Sequence, residues 1–201
     1  MGDAPGHYFE ANPEAGSRRG SVRLDLPDRS FTLTTDRGVF AGGHVDAGTK
    51  YLLLEAPPPP AAGTFVDLGC GYGPIACTLA ARVPEATVWA VDVNRRAVDL
   101  CRENAASLGL TNVRAIDIAD VADDLQVDLL WSNPPIRIGK AALHDLLGSW
   151  LARLRPEGRA VLVVQKHLGA DSLQRWLAES GWPTERLGAR AGYRLLGVTA
   201  R

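Results

Sequence analysis

Residues 64–74 read TFVDLGCGYGP. Thr64 to Leu68 is a short, mostly apolar run broken by one acid, Asp67. Glycines then occupy positions 69, 71 and 73, and Pro74 stands where a helix would open. A strand that turns through glycines into a helix is the opening unit of an open α/β sheet. Ligands of such sheets bind in the crevice beyond the carboxyl ends of the strands, where glycines let them approach the backbone.

Downstream the pattern alternates. PIACTLAARV (74–83) reads as a helix and TVWAVDV (87–93) as a strand. RRAVDLCRENAASLG (95–109) brings Ala97, Leu100, Cys101, Asn104 and Leu108 near one helical face and ends on Gly109, a natural C-cap. NVRAIDI and VDLLWS read as strands, AALHDLLGSWLARL as a helix, RAVLVVQK as a strand, SLQRWLAES as a helix and GYRLLGVTA as a last strand. Strands alternating with helices imply a parallel sheet covered on both faces. Upstream, VRLDLPDRSFTLTT predicts a hairpin about Pro27-Asp28, and KYLLLEA a short helix stopped by prolines 57–60. Those prolines divide the chain into an N-terminal extension, 1–56, and a main domain, 61–201.

A chain of 201 residues with 46% hydrophobic content is long enough for a core without staples. Cys70, Cys77 and Cys101 form no CxxC pair, so the sequence suggests a reducing cytoplasm and no zinc site. The N-terminus lacks the apolar stretch of a signal peptide and no run approaches a membrane span, so a soluble protein without a membrane partner is expected. The net charge of −1 hides an asymmetry: residues 1–135 carry 11 Lys and Arg against 18 Asp and Glu, and residues 136–201 carry 11 against 5. The electropositive part is the C-terminal third.

The glycine turn departs from a dinucleotide site. Pro74 replaces the third small residue, and Asp67 would repel a pyrophosphate. Asp67 suits a cationic ligand instead. S-adenosylmethionine carries an ammonium and a sulfonium, and its methionine end fits against Gly69, Cys70 and Gly71. One strand later Asp92, followed by Val93, can accept hydrogen bonds from both ribose hydroxyls. Asp117, beside Ile118, is assigned to the adenine amino group, with Asp120 as the alternative.

WSNPP (131–135) places Asn133 at the same crevice. Pro134 has no N–H, so the Asn133 side-chain carbonyl and the Pro134 backbone carbonyl offer neighbouring acceptors on a pinned turn, with Pro135 behind them. Two acceptors facing one point match the two hydrogens of a planar amine. Such a nitrogen is a poor nucleophile, and holding both hydrogens aims its lone pair. Chemistry of this kind needs positioning and charge stabilisation and no metal.

VDLGCGYG, AVDVN and SNPPIRIGK together resemble the class I S-adenosylmethionine-dependent methyltransferases, in particular the small-domain family that includes 16S rRNA guanine-N2 methyltransferases of the RsmC type. TTDRGVFAGGHVDAGTKYLLL resembles that family's leading segment, so the likeness runs over about residues 31–201. The resemblance implies a Rossmann-like α/β fold with seven mostly parallel strands, the last antiparallel. It also implies S-adenosylmethionine as cofactor, S-adenosylhomocysteine as product, and methylation of an exocyclic amine in rRNA of the small ribosomal subunit. It makes Phe40 and Gly48-Thr49 cofactor-covering residues and adds Gly73 to the cofactor turn. Two departures stand out. RsmC-type enzymes have a second, degenerate domain before the catalytic one, for which this chain has no room. Ile136 also stands where an aromatic residue often follows Asn-Pro-Pro to stack on the base. Ile136, Arg137 and Lys140 are expected at the substrate entrance, with Lys166 and His167 as further phosphate partners. His144 and most tryptophans read as packing. A protein glutamine amide as acceptor, and a non-catalytic cofactor-binding module, stay open as alternatives, as does the oligomeric state.

Overall fold

The computed structural model describes residues 16–39 and 44–201, so Phe40 lies outside the described residues. Strands β1 (Gly20–Leu26) and β2 (Arg29–Thr35) form the expected hairpin, with Leu26 opposite Arg29. Helix α1 (Ala47–Glu55) starts earlier than KYLLLEA suggested. The Asp46 side chain accepts the Thr49 N–H at 2.9 Å, satisfying a donor of the first turn that has no partner within the helix.

The chain continues through β3 (Gly63–Leu68), α2 (Pro74–Arg82), β4 (Ala86–Asp92), α3 (Arg95–Ser107), β5 (Val113–Asp117), β6 (Val127–Ser132), α4 (Lys140–Leu151), β7 (Leu154–Gln165), α5 (Ala170–Glu179), β8 (Thr184–Arg190) and β9 (Tyr193–Thr199). Seven strands lie in the order β5-β4-β3-β6-β7-β9-β8. The first five run parallel, and β9 is antiparallel to both β7 and β8. TERLGAR gave no strand signal of its own. As β8 it is an edge with no buried position, so it lacks the alternation that marks a half-buried strand.

Side chains alternate across the sheet. Phe65, Leu129, Trp131 and Val161 join a core with α1, α2, α3 and the β1–β2 hairpin, whereas Val66, Leu68, Leu130 and Leu162 join one with α4 and α5. The prolines interrupt the sequence, yet packing runs across them. Asn104 on α3 is fully buried and ties the hairpin down. Its Nδ2 donates to the carbonyls of Thr34 (2.9 Å) and Tyr72 (2.8 Å), and its Oδ1 accepts the Thr34 N–H at 2.7 Å. One side chain thus joins β2, α3 and the glycine turn.

Gly73 closes that turn with φ of 89°, and a Cβ there would lie 2.6 Å from Cys101 Sγ on α3. The third glycine therefore serves helix packing. Gly73→Ala should destabilise the protein by about 2–4 kcal/mol, combining overpacking with a left-handed backbone. Adding Cys101→Ala should recover part of that loss in a double-mutant cycle of denaturant midpoints. Strictly additive effects would contradict the contact.

Candidate functional site

Strands β3, β4 and β6 end at one edge of the sheet. The buried Ser132 hydroxyl donates to the Leu68 carbonyl at 2.7 Å, extending the β3–β6 attachment to the last residue of each strand. A cleft of about 430 Å³ opens there, within the usual range for a small-molecule site. Of the residues singled out in the sequence, the cleft brings together Thr49, Gly69, Cys70, Gly71, Asp92 and Val93. It also gathers Ile118, Asn133, Pro134, Pro135, Ile136 and Arg137.

Gly69 and Gly71 have φ of 77° and 55°, and no atom lies within 4 Å of where either Cβ would stand. They form a cradle that side chains would obstruct. Asp92 Oδ2 accepts the Gly71 N–H at 2.9 Å and Oδ1 accepts the Asn94 N–H at 2.9 Å. The carboxylate is held in place and keeps a further lone pair on each oxygen. Burial raises its pKa, while the N–H donors of Asn94, Gly71 and Val93 oppose the shift.

Asn133 donates both amide hydrogens, from Nδ2 to Asp46 Oδ2 at 2.8 Å and to Thr49 Oγ1 at 3.0 Å. Its Oδ1 is the amide atom left for a ligand. Pro135, with φ of −75° and ψ of 73°, centres an inverse γ-turn in which the Ile136 N–H donates to the Pro134 carbonyl at 2.8 Å. That carbonyl is not wholly free, as the sequence had suggested, and retains one lone pair.

Several expected residues, Gly48, Lys166 and His167 among them, do not line the cleft. Asp67 shares the phase of Phe65 and points under α2, where Oδ2 accepts the Ala76 N–H at 2.9 Å and Oδ1 is buried without a partner. Burial raises its pKa to about 8. In this position it holds the start of α2 and does not line the cleft. Gly73 packs on α3. Asp117 turns back to accept the Ala119 N–H at 3.1 Å, with Arg95 at 3.5 Å, while its neighbour Ile118 lines the cleft. Lys140 lines a separate hollow of about 230 Å³ with His144 and Ser172. His144 stacks on Trp176 with ring centres 3.8 Å apart, in keeping with a packing role.

The cleft also has contributors that the sequence reading missed: Val39, His44, Asp46, Tyr72, Gln165 and Tyr193. An acid three residues before Thr49 at a helix start is an N-cap pattern and was available as a signal. Gln165 and Tyr193 face each other across the antiparallel β7–β9 pair, a neighbourhood that no spacing in the sequence reveals. Tyr72 has a buried hydroxyl with no protein partner among the described residues. The excess positive charge of the C-terminal third is largely committed internally. Arg155 pairs with Asp128, Arg186 with Asp171, and Arg190 with Glu55. Arg153 and Arg201 lie over Trp150 and Trp182.

Similarity to known proteins follows the same outline. The family described as methyltransferase small domain matches residues 30–196. The chain belongs to this family. Its enzyme class is S-adenosylmethionine-dependent methyl transfer. Similar proteins include the uncharacterized protein YbxB of Bacillus subtilis, 36% identical over 86% of this chain and 88% of the relative. The ribosomal RNA large subunit methyltransferase G of Shewanella amazonensis is 31% identical over 72% of this chain and 40% of the relative. The ribosomal RNA small subunit methyltransferase C of Shewanella sp. MR-4 is 29% identical over 73% and 43%. The chain thus spans most of the first relative but less than half of the two rRNA methyltransferases. In fold it resembles the T. thermophilus 16S rRNA N2 methyltransferase RsmC in complex with AdoMet and guanosine. That likeness has a TM-score of 0.75 at 23% identity and covers 91% of this chain and 51% of that one. Among the described residues, no helix is long and apolar enough to cross a membrane.

The cleft fits the cofactor of this family. It offers an open glycine cradle, a fixed carboxylate for a diol and apolar edges at Val93 and Ile118 for a ring. The buried Asp67 gives a test that needs no ligand. An acid with a raised folded pKa stays protonated in the fold but ionises in the unfolded chain between about pH 4 and 8, so stability falls as pH rises through that window. Melting of the apoprotein should therefore fall more between about pH 5 and 8 in the wild type than in Asp67→Asn. Parallel pH profiles would show that Asp67 is ionised in the fold.

Proposed function

We propose that this protein transfers the methyl group of S-adenosylmethionine to an exocyclic amino group of a nucleic-acid base, guanine N2 of 16S rRNA being the favoured substrate. The observation that carries the reading is that Asn133 and Pro134 keep free acceptor lone pairs in the same cleft as the glycine cradle and Asp92. The rRNA-modifying relatives support an RNA substrate, and the likeness to an N2 methyltransferase seen in complex with guanosine supports N2. Such a substrate implies work in the cytoplasm.

When bound, the cofactor supplies an electrophilic methyl group on a positively charged sulfur. Asp92 accepts the ribose hydroxyls, and the bare backbone at Gly69 and Gly71 allows close approach. Asn133 Oδ1 and the remaining lone pair of Pro134 accept the two amine hydrogens, which fixes the nitrogen and turns its lone pair toward the cradle. As the N–C bond forms and the S–C bond breaks, the same two acceptors stabilise the positive charge on the nitrogen, which then releases one of its protons to water. Ile136 supplies an apolar face for the base. Arg137, Lys140 and Lys166, exposed and unpaired among the described residues, would pair with the phosphates of the RNA.

Asp92→Ala should weaken S-adenosylhomocysteine binding by about 1.5–3 kcal/mol in calorimetry, and unchanged affinity in a folded variant would remove Asp92 from the ribose site. Asn133→Ala should lower kcat by about 10²–10³ while keeping cofactor affinity within about threefold. Radiolabelled S-adenosylmethionine should be offered with 30S particles, naked 16S rRNA and a release factor side by side. Label recovered as N2-methylguanosine supports the assignment. Label confined to the release factor would move the substrate to a protein glutamine.

A further inference from the structure

Asn133 can accept a hydrogen bond from a substrate amine only if its amide is turned the right way. An amide rotated by half a turn would present two hydrogens to the amine and repel it. Nothing in the Asn-Pro-Pro turn itself fixes that choice, because the prolines restrict the backbone and leave the side-chain torsion free. The choice is made by the segment before α1. Asp46 Oδ2 and Thr49 Oγ1 receive the two Nδ2 hydrogens at 2.8 and 3.0 Å. Asp46 is in turn held by the Thr49 N–H at 2.9 Å as the cap of α1. An ionised carboxylate has no hydrogen to donate, so it accepts only from the nitrogen side of the amide.

We infer that Asp46 is a positioning residue for methyl transfer: it sets the orientation of the Asn133 amide so that Oδ1 faces the amine. The inference rests on the proposed role of Asn133 and extends it to a residue 87 positions away in sequence. It also gives the leading segment a task apart from contacting the cofactor. Thr49, expected to touch the cofactor, serves the same network through its hydroxyl. Competence at Asn133 therefore depends on α1 beginning where it does, beside the end of β6.

The network can be tested without knowing the substrate. The Asn133 side-chain NH₂ signals in ¹⁵N–¹H spectra, assigned by their loss in Asn133→Ala, should show slow solvent exchange in the wild type. They should exchange faster in Asp46→Ala and stay protected in Asp46→Asn, which keeps an acceptor and a good cap. In the methyl-transfer assay on RNA, Asp46→Ala should lower kcat about tenfold to a hundredfold, as expected for a misplaced reacting group. KM for RNA and S-adenosylhomocysteine affinity should stay within about threefold, and Asp46→Asn should restore kcat to within about threefold of wild type. Unchanged Asn133 signals in Asp46→Ala would overturn the inference. So would an Asp46→Asn variant as inactive as Asp46→Ala with its Asn133 signals protected, since charge and not orientation would then be what matters. If wild-type protein methylated no RNA, the proposed substrate would fail, and the Asn133 signals would still decide the role of Asp46.

Discussion

The cleft depends on β3 lying in parallel register between β4 and β6. Asp67 pairs with Ala90 on one side and Trp131 on the other, so all three strands stop at the same level. That single constraint brings the glycine turn after β3, the acid ending β4 and the Asn-Pro-Pro turn after β6 into one space. None of these pieces alone makes a site. A strand end is where backbone groups lose their ladder partners, and here nearby polar groups take over, with Ser132 bonded to the Leu68 carbonyl and Asp92 to the Gly71 N–H.

A second layer of polar contacts converts this arrangement into defined orientations. Asn104 fastens the hairpin and the Tyr72 carbonyl, Asn94 caps α3 and bonds the Gly38 carbonyl, and Asp46 fixes Asn133. Each of these side chains is buried or half-buried with its partners supplied, which is the condition under which polar groups rigidify a core. Asp67 is the exception. It holds α2 with one oxygen and leaves the other unpaired, at a cost that burial makes visible as a raised pKa.

The architecture was legible because its elements are regular. Buried parallel strands and amphipathic helices announce themselves by period, and only the edge strand β8, with no buried position, escaped notice. The meeting of Gly69, Gly71, Asp92 and Asn133 in one cleft was legible, because all four stand at or just beyond strand ends. The sequence shows one use of a position and the fold adds another. Asp67 precedes the turn in sequence, but the pleat directs it under α2; Gly73 looks like part of the cofactor loop, but its missing Cβ makes room for Cys101. Gln165 and Tyr193 meet through strand pairing over a long stretch of chain, so no local pattern could announce them. Asp46 carried an N-cap pattern that went unread, and its bond to Asn133 emerges only from the fold.

The central claim is that one cleft holds the cofactor against Asn133 in a fixed orientation. A crystal structure of the protein with S-adenosylhomocysteine tests this most directly. The account predicts the ribose hydroxyls on Asp92, the methionine portion along Gly69 and Gly71, and the sulfur facing Asn133 Oδ1, with both Nδ2 hydrogens still on Asp46 and Thr49. A cofactor seated away from Asp92, or an Asn133 amide turned so that its nitrogen faces the sulfur, would contradict it.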